Sequence, residues 1–536
     1  MRTLGLLLLG WIVCAFGQPP FSSWLALIAG AGGYACILKA LLDVQDPKKR
    51  FFVGAGWFAA VQAVQFFWFL SHPFLYIYAV YVFIISIYAL QFGLLSLYVT
   101  PNYLRKRWIV LAIPSFWFVM EWSRLFIFSG VSFNPLGLAL SANIYSLQMA
   151  SVVGVMGLSF WVLLTAVLLA RQNYYLWSIA AVFPFLFGAV HLQYHSNNEL
   201  NVPTMNALLV QTAFPVEESL EFHSTKAFLD FVLGEWDQIL KITSPHKDES
   251  FDVVALPEMV VPFGAYMLAY PYEKAIGLFR NTYGNDVLAY LPLPNPPFGD
   301  EGYVNNAFFV QSLSNIFRAP VLSGMEDIDY LPNGERVLFS AALLFSPLGR
   351  DQEPRIERYE KRILVPMGEY IPFAAVAELA RSYGITGSFT PGQEAKVMQC
   401  GRFTIAPSIC YDETFGALTK DGCAKGAQVL INVTNDAWFP AITRQHMEHA
   451  RLRTVEGGIP LLRACNTGVT CAMDSFGKTI SELGEGHSNP AELSASLSVK
   501  VPVYNYTTFY SHGGDLPLLI FSIMMSAFLL TRIRFI

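Results

Sequence analysis

The sequence predicts two structural units in two solvents, a transmembrane bundle of about eight α-helices and a layered α/β domain outside the lipid. Three observations carry that expectation. Of 536 residues, 54% are hydrophobic and only 14% charged, with a mean hydropathy of +0.41, whereas ordinary soluble proteins carry about 25% charged residues. The length exceeds what one core organises. Charge is also uneven: residues 1–195 hold 10 Lys and Arg against 3 Asp and Glu, and residues 196–514 hold 23 against 36. The net charge of −5 excludes a strongly basic nucleic-acid binder.

The apolar runs are Leu4–Gly17, Trp24–Leu42, Phe51–Leu70, Phe74–Val99, Trp108–Phe128, Val152–Ala170, Tyr174–His191 and Leu516–Leu530. Several reach the roughly 20 residues that cross hydrocarbon. The first follows Arg2, but Gln18-Pro19-Pro20 is a poor cleavage site and a second run follows at once, so it reads as a retained helix. Basic residues fall at Arg2, Lys48-Lys49-Arg50, Arg105-Lys106-Arg107, Arg171, Arg532 and Arg534, the ends and alternate loops of an eight-helix path that starts inside. Residues 1–195 are thus expected as seven membrane helices, 196–514 as an outer domain and 515–536 as the eighth helix, with both termini cytoplasmic. Glu121 and Arg124, three apart in the fifth run, read as an ion pair holding the bundle. The stretch from Asn134 to Ala150 reads as an outer loop or interfacial helix.

The outer domain alternates short apolar runs with amphipathic segments. Asn206–Gln211, Val253–Leu256, Asp286–Leu291, Asn306–Leu313, Val337–Phe345, Phe403–Ile409, Gln428–Val433 and Gly468–Met473 read as strands. Phe228–Ile242, Tyr272–Thr282, Ala374–Tyr383 and Gln445–Glu456 read as helices, and Tyr194–Pro203 as the linker. There is no CxxC pair or His-rich tract for zinc, no Walker loop and no dinucleotide fingerprint, so no metal or cofactor is expected.

Seven cysteines are present, five of them in the outer domain. Cys410 ends the strand-like run Phe403–Ile409, where a nucleophile is presented at a strand tip ahead of backbone N–H groups that can hold an oxyanion. A reactive cysteine needs a base and a cation. Glu258, after Val253-Val254-Ala255-Leu256-Pro257, sits among apolar neighbours that raise a carboxylate into the range of a general base. Lys361, in Tyr359-Glu360-Lys361-Arg362-Ile363, offers positive charge to a tetrahedral intermediate. Each alone is more readily an ordinary exposed or structural side chain.

In order along the chain, Leu-Pro-Glu258, Lys361 with Glu369 in Val-Pro-Met-Gly-Glu, Ile-Cys410-Tyr411-Asp412, Thr434-Asn435-Asp436-Ala437-Trp438-Phe439 and Asn466-Thr467-Gly468 resemble the Glu-Lys-Cys arrangement of the nitrilase superfamily. With the helical bundle and the last helix added, the whole chain resembles the apolipoprotein N-acyltransferases.

That resemblance implies an αββα sandwich on the periplasmic face of the bacterial inner membrane. It also implies transfer of an acyl chain from a phospholipid to the α-amino group of a diacylglyceryl-modified N-terminal cysteine. Glu258 is then the base, Cys410 the nucleophile that forms a thioester, and Lys361 the stabiliser of the oxyanion. The Tyr411 N–H would be a second donor, with Glu369 and Asp412 supporting the site and Trp438 and Phe439 contacting substrate. The partners implied are phospholipid, diacylated apolipoprotein and membrane, without nucleic acid or metal. The aromatic-rich stretch Val260–Tyr272 would line an acyl entrance or pack beneath the sandwich. Two departures stand out: Asp412 where many relatives carry Glu, and Pro440 where glycine is usual. Two other readings compete, a membrane-tethered amidase that uses water as acceptor and a non-catalytic lipid-binding or transport protein on a degenerate nitrilase fold.

Overall fold

The computed structural model describes residues 1–196, 202–216, 220–300, 302–349, 353–372, 378, 388–487 and 489–532. The chain divides into two compact units, one made of Met1–Leu200, Arg444–Gly458 and Tyr506–Ile536, the other of Asn201–Thr443 and Ile459–Asn505.

In the helical unit every predicted apolar run carries helix: Arg2–Ala15, Ser23–Ile28 with Ala35–Leu42, Pro47–Gln65, Ile77–Ser96, Ile109–Ser123, Ala150–Ala170, Tyr174–Ser196 and Leu516–Thr531. Among the described residues, four helices are long and apolar enough to cross a membrane, five when the pair bent by 42° across residues 29–34 counts as one span. The bend sits at Gly32, whose φ of +147° only glycine adopts at ease. Residues 134–150, expected as a loop or interfacial helix, hold the short turns Leu136–Ala142 and Ile144–Leu147.

Glu121 and Arg124 are both 1% exposed and paired at 3.7 Å. The Arg124 guanidinium lies 3.7 Å over the Tyr88 ring and 4.9 Å over Trp117, and its Nε donates to Gln91 Oε1 at 2.6 Å. Glu121 Oε1 accepts from the Leu136 N–H at 3.0 Å. The pair thus ties helix Ile109–Ser123 to its neighbours. The helix Thr443–Gly457, read from sequence as part of the outer domain, makes its contacts here. Gln445 donates to Asn134 Oδ1, and Glu448 and Arg451 reach Ser141 at 3.2 and 3.0 Å.

Among its described residues the second unit holds two six-stranded sheets and a small three-stranded one. The strand orders of the larger two are Ala495–Pro502, Thr204–Gln211, Val253–Ala255, Val321–Tyr330, Arg336–Phe345, Ile356–Glu360 in the first and Thr479–Glu482, Cys471–Met473, Leu461–Cys465, Val429–Thr434, Phe403–Ile409, Met398–Cys400 in the second. One buried cluster takes Ala207, Leu209, Ala255 and Leu344 from the first sheet and Ile405, Ile431, Val433 and Leu462 from the second, so the sheets pack face to face. The other face of the first sheet is covered by helices Thr225–Thr243, Tyr272–Tyr283 and Asn306–Phe317. Helix Gly416–Ala424 packs beside strand Phe403–Ile409. The layers are those of an α/β sandwich.

Two strand expectations are corrected. Residues Asn306–Leu313 belong to helix Asn306–Phe317, capped by Asn305, whose side chain accepts from the Phe308 N–H at 3.1 Å. The run is apolar and nearly all buried, so it lacks the alternation that separates strand from helix. Within Asp286–Leu291, Asp286–Ala289 is a 3-10 turn. The helix expected at Ala374–Tyr383 lies outside the described residues, apart from residue 378.

Candidate active site

Strands Val253–Ala255 and Val321–Tyr330 run parallel, as do Phe403–Ile409, Val429–Thr434 and Leu461–Cys465. Parallel strands release their C-terminal ends at one edge of a sheet, so Cys410, the Asn435–Phe439 loop and the Asn466–Gly468 loop emerge together. Glu258 leaves strand Val253–Ala255 by the same logic. It approaches its neighbour so closely that a Cβ on Gly324 would lie 2.5 Å from the Glu258 Cα. Lys361 directly follows strand Ile356–Glu360 and is held there by its N–H bond to the Ser340 carbonyl at 2.8 Å.

The predicted groups converge. Lys361 Nζ, 1% exposed, donates to Glu258 Oε1 at 2.9 Å and to Glu369 Oε1 at 2.5 Å. Glu369 Oε2 in turn accepts from the Val365 N–H at 2.8 Å, which fixes the loop between them. The Cys410 thiol lies beside Glu258, close enough for the charge of the carboxylate to act on it. Burial raises the Glu258 pKa, and Lys361 offsets part of that rise. Burial alone would lower the Lys361 pKa, but the two carboxylates outweigh it and hold the ammonium well above its usual value. Burial, then the charge of Glu258, pushes the Cys410 thiol up, against the opposing pull of Lys361. At neutral pH the resting site therefore holds a protonated thiol and a firmly charged lysine, with Glu258 between them.

Cys410 has φ +47°, in the left-handed region, and Met259 and Met367, on the Glu258 and Lys361 segments, have φ +44° and +67°. Such conformations cost of order 1–3 kcal/mol each in non-glycine residues and gather where geometry is over-determined. Asp412 supplies part of that determination. Its Oδ2 accepts from the Ile409 N–H at 3.2 Å and the Tyr359 hydroxyl at 2.8 Å, and its Oδ1 accepts from the Ile363 N–H at 2.9 Å. The shorter acid thus fastens the Cys410 turn to the Lys361 segment, and burial pushes its pKa to about 6. Tyr411 follows in the 3-10 turn Cys410–Thr414, its ring edge-on to Phe415 at 5.2 Å. Trp438 and Phe439 stand half-buried on the loop beyond Asp436.

The segment Val260–Tyr272 divides along its length. Val260, Val261, Ala265 and Tyr270 are buried, whereas Tyr266, Met267 and Leu268 are exposed. Its shape is set by Asn306, whose Nδ2 donates to the Pro262 and Gly264 carbonyls at 2.6 Å each and whose Oδ1 accepts from Trp236 and Tyr270.

The sequence reading did not single out Arg463. The guanidinium is fully buried, pairs with Glu413 at 2.9 Å and Asp436 at 3.4 Å, and reaches the Val469 carbonyl at 3.1 Å. Its signal was a lone charge inside the apolar strand Leu461–Cys465. Cys14, Cys36, Cys400, Cys410 and Cys465 are free thiols.

Known proteins agree with both halves of the chain. The family model of the carbon-nitrogen hydrolases matches residues 232–490, and that of the apolipoprotein N-acyltransferase N-terminal domain matches residues 12–168. The apolipoprotein N-acyltransferase of Chlamydia pneumoniae is 30% identical over 97% of this chain and 96% of its own length. That of Chlamydia trachomatis is 30% identical over 97% and 95%. Among solved structures, a carbon-nitrogen hydrolase from Helicobacter pylori G27 aligns with 62% of this chain and 95% of its own at 13% identity and a TM-score of 0.34. The matches take in the helical and the sandwich portions alike, and near end-to-end relatives join them in one chain: it is an acyltransferase enzyme, a member of the apolipoprotein N-acyltransferase family.

Proposed function

We propose that this chain, a bacterial inner-membrane protein, moves an acyl chain from a phospholipid to the N-terminal α-amino group of a diacylglyceryl-cysteine apolipoprotein, through a thioester on Cys410. The observation that carries the residue assignment is the buried Lys361 ammonium shared between Glu258 and Glu369, with the Cys410 thiol beside Glu258. In the first step Glu258 takes the thiol proton as Sγ attacks the ester carbonyl. The C–S bond forms, Lys361 Nζ and the Tyr411 N–H face the developing oxyanion, and the C–O bond breaks. The proton returns from Glu258 to the departing lysophospholipid alkoxide.

In the second step the amine attacks the thioester and gives its proton to Glu258. A C–N bond replaces the C–S bond, and the thiolate regains that proton. Glu369 keeps Lys361 aligned, and Asp412 keeps the nucleophile turn against the Lys361 segment. Trp438, Phe439 and the exposed Tyr266, Met267 and Leu268 contact the acyl chains and keep water from the thioester.

Residues 1–195 and 515–536 lie in the membrane with both termini cytoplasmic, and residues 196–514 stand in the periplasm. The alternation of basic and uncharged loops supports this orientation. A reporter fused after His195 is expected to be active only in the periplasm, and cytoplasmic activity refutes the topology.

The decisive experiment incubates purified protein with acyl-labelled phospholipid, looks for hydroxylamine-labile label on Cys410, and then adds a diacylated lipopeptide. Label moving from Cys410 to the peptide amine is the expected result. Label lost to water at the same rate with and without peptide indicates the amidase reading. No acyl-enzyme at all indicates a non-catalytic lipid-binding fold.

A further inference from the structure

We propose that Arg463 is the positioning residue of the nucleophile turn: one buried guanidinium joins the three loops that leave strands Phe403–Ile409, Val429–Thr434 and Leu461–Cys465, and it neutralises the carboxylate of Asp436 beside Cys410. The inference rests on Cys410 being the nucleophile.

The geometry is that of a fork with each prong used. Nε donates to Glu413 Oε1 at 2.9 Å, and Glu413 lies three residues beyond Cys410 in the turn Cys410–Thr414. Nη2 faces Asp436 Oδ2 at 3.4 Å, on the loop after Val429–Thr434. Nη1 donates to the Val469 carbonyl at 3.1 Å and to Cys465 Sγ at 3.0 Å, which holds the loop after Leu461–Cys465. A lysine has one nitrogen and cannot reach three diverging acceptors, whereas a planar guanidinium can.

The surroundings are built for this group. Gly468 has φ +129°, and a Cβ there would lie 2.7 Å from Asp436 Oδ2 and 3.3 Å from Arg463 Nη1, so the turn must be glycine for the carboxylate and the fork to meet. Asn466, at the start of the same loop, accepts from the Thr212 hydroxyl at 2.6 Å and the Phe214 N–H at 2.7 Å and donates to Asn435 Oδ1 at 3.1 Å, so the loop carries no slack. Arg463 also keeps charge in balance. Within the sandwich unit, the charged groups that act on Cys410 include Glu258, Lys361 and Asp436, and those that act on Arg463 include Glu413 and Asp436, with the thiols of Cys465 and Cys471 beside it. Lys361 is already shared between Glu258 and Glu369. Asp436 opposes thiolate formation at Cys410, and the Arg463 guanidinium, 3.4 Å from its carboxylate, offsets that charge.

The test uses the full chain in detergent and compares R463K, R463M and the charge-balanced R463M/E413Q/D436N. Two quantities are read: the pH midpoint of iodoacetamide alkylation at Cys410, mapped by peptide mass, and the rate of Cys410 acylation by phospholipid. R463K keeps the charge and loses the fork, so its alkylation midpoint is expected to stay and its acylation to slow about tenfold or more. R463M exposes the thiol to Asp436, so its midpoint is expected to rise by about one pH unit. The triple variant is expected to restore the midpoint while acylation stays slow.

Wild-type acylation in R463K overturns the positioning role. An unshifted midpoint in folded R463M overturns the electrostatic role. Should R463M not fold, a triple variant with both quantities at wild-type values overturns the proposal. A wild-type protein that takes no acyl group refutes the nucleophile reading instead, and the alkylation midpoints still report on Arg463.

Discussion

Each unit of this chain buries a carboxylate beside a cation, and the two pairs are finished differently. In the helical unit Arg124 is covered by the faces of Tyr88 and Trp117, and Glu121 spends one oxygen on the Leu136 N–H, so the pair ties segments together and presents nothing reactive. In the sandwich Lys361 is divided between Glu258 and Glu369, and the charge of Glu258 also acts on a thiol beside it. The lesson is that burial and charge do not by themselves mark a catalytic site. What marks it is a carboxylate whose partner is shared and which has a nucleophile beside it.

The largest expected effect breaks the sandwich side outright. Cys410→Ala removes the acyl-enzyme and lowers turnover by at least ~10³-fold, as when a nucleophile is deleted from a cooperating set. Lipopeptide turnover at the wild-type rate in C410A would sink the mechanism. Next, Lys361→Met leaves the buried Glu258 and the partly buried Glu369 without their cation. A loss of about 3–5 kcal/mol in denaturant unfolding is expected, together with loss of acylation. Arg124→Met in the helical unit is the matching change, and there Cys410 alkylation is expected to survive in whatever protein folds.

A subtler contrast uses glycines. Gly324→Ala puts a methyl 2.5 Å from the Glu258 backbone, an overpacking of about 1–3 kcal/mol that displaces the base, so acylation falls with stability. Gly56→Ala, in helix Pro47–Gln65 with nothing within 4 Å, is expected to be neutral or stabilising by up to about 1 kcal/mol. The smallest effect is in pH. Glu258 must be ionised to accept the thiol proton, and burial raises its pKa, so the acid limb of the acylation rate should lie above the range of an exposed carboxylate. The Asp412 carboxyl, with a pKa of about 6, protonates in the same region and weakens its clamp on the turn. An acid limb near pH 4 would contradict both.

The site was legible because its parts lie at strand ends in short, ordered phrases: Leu-Pro-Glu258, Lys361 and its Glu369, Ile-Cys410-Tyr411-Asp412. The loops at 435–439 and 466–468 were legible for the same reason. Arg463 was not, because its meaning comes from Glu413 and Asp436, which are 50 and 27 residues away and meet it only through the parallel register of three strands. Helix Asn306–Phe317 was misread for a different cause: buried on nearly every side, it shows no amphipathic period, and its apolar run matches a strand equally well. The attachment of Thr443–Gly457 to the helical unit had no local signature either, since its polar residues look like a solvent face until Asn134 and Ser141 answer them.

The left-handed backbone at Cys410 bears on how such a chain would decay. Glycine sits there without the steric penalty that a cysteine carries, and asparagine carries less of it. A lineage that no longer needed the chemistry would gain stability by discarding the thiol, so random drift at this position runs away from cysteine. Its presence, together with three buried charges that also favour replacement by apolar residues, is the mark of a selection for turnover strong enough to oppose that slope.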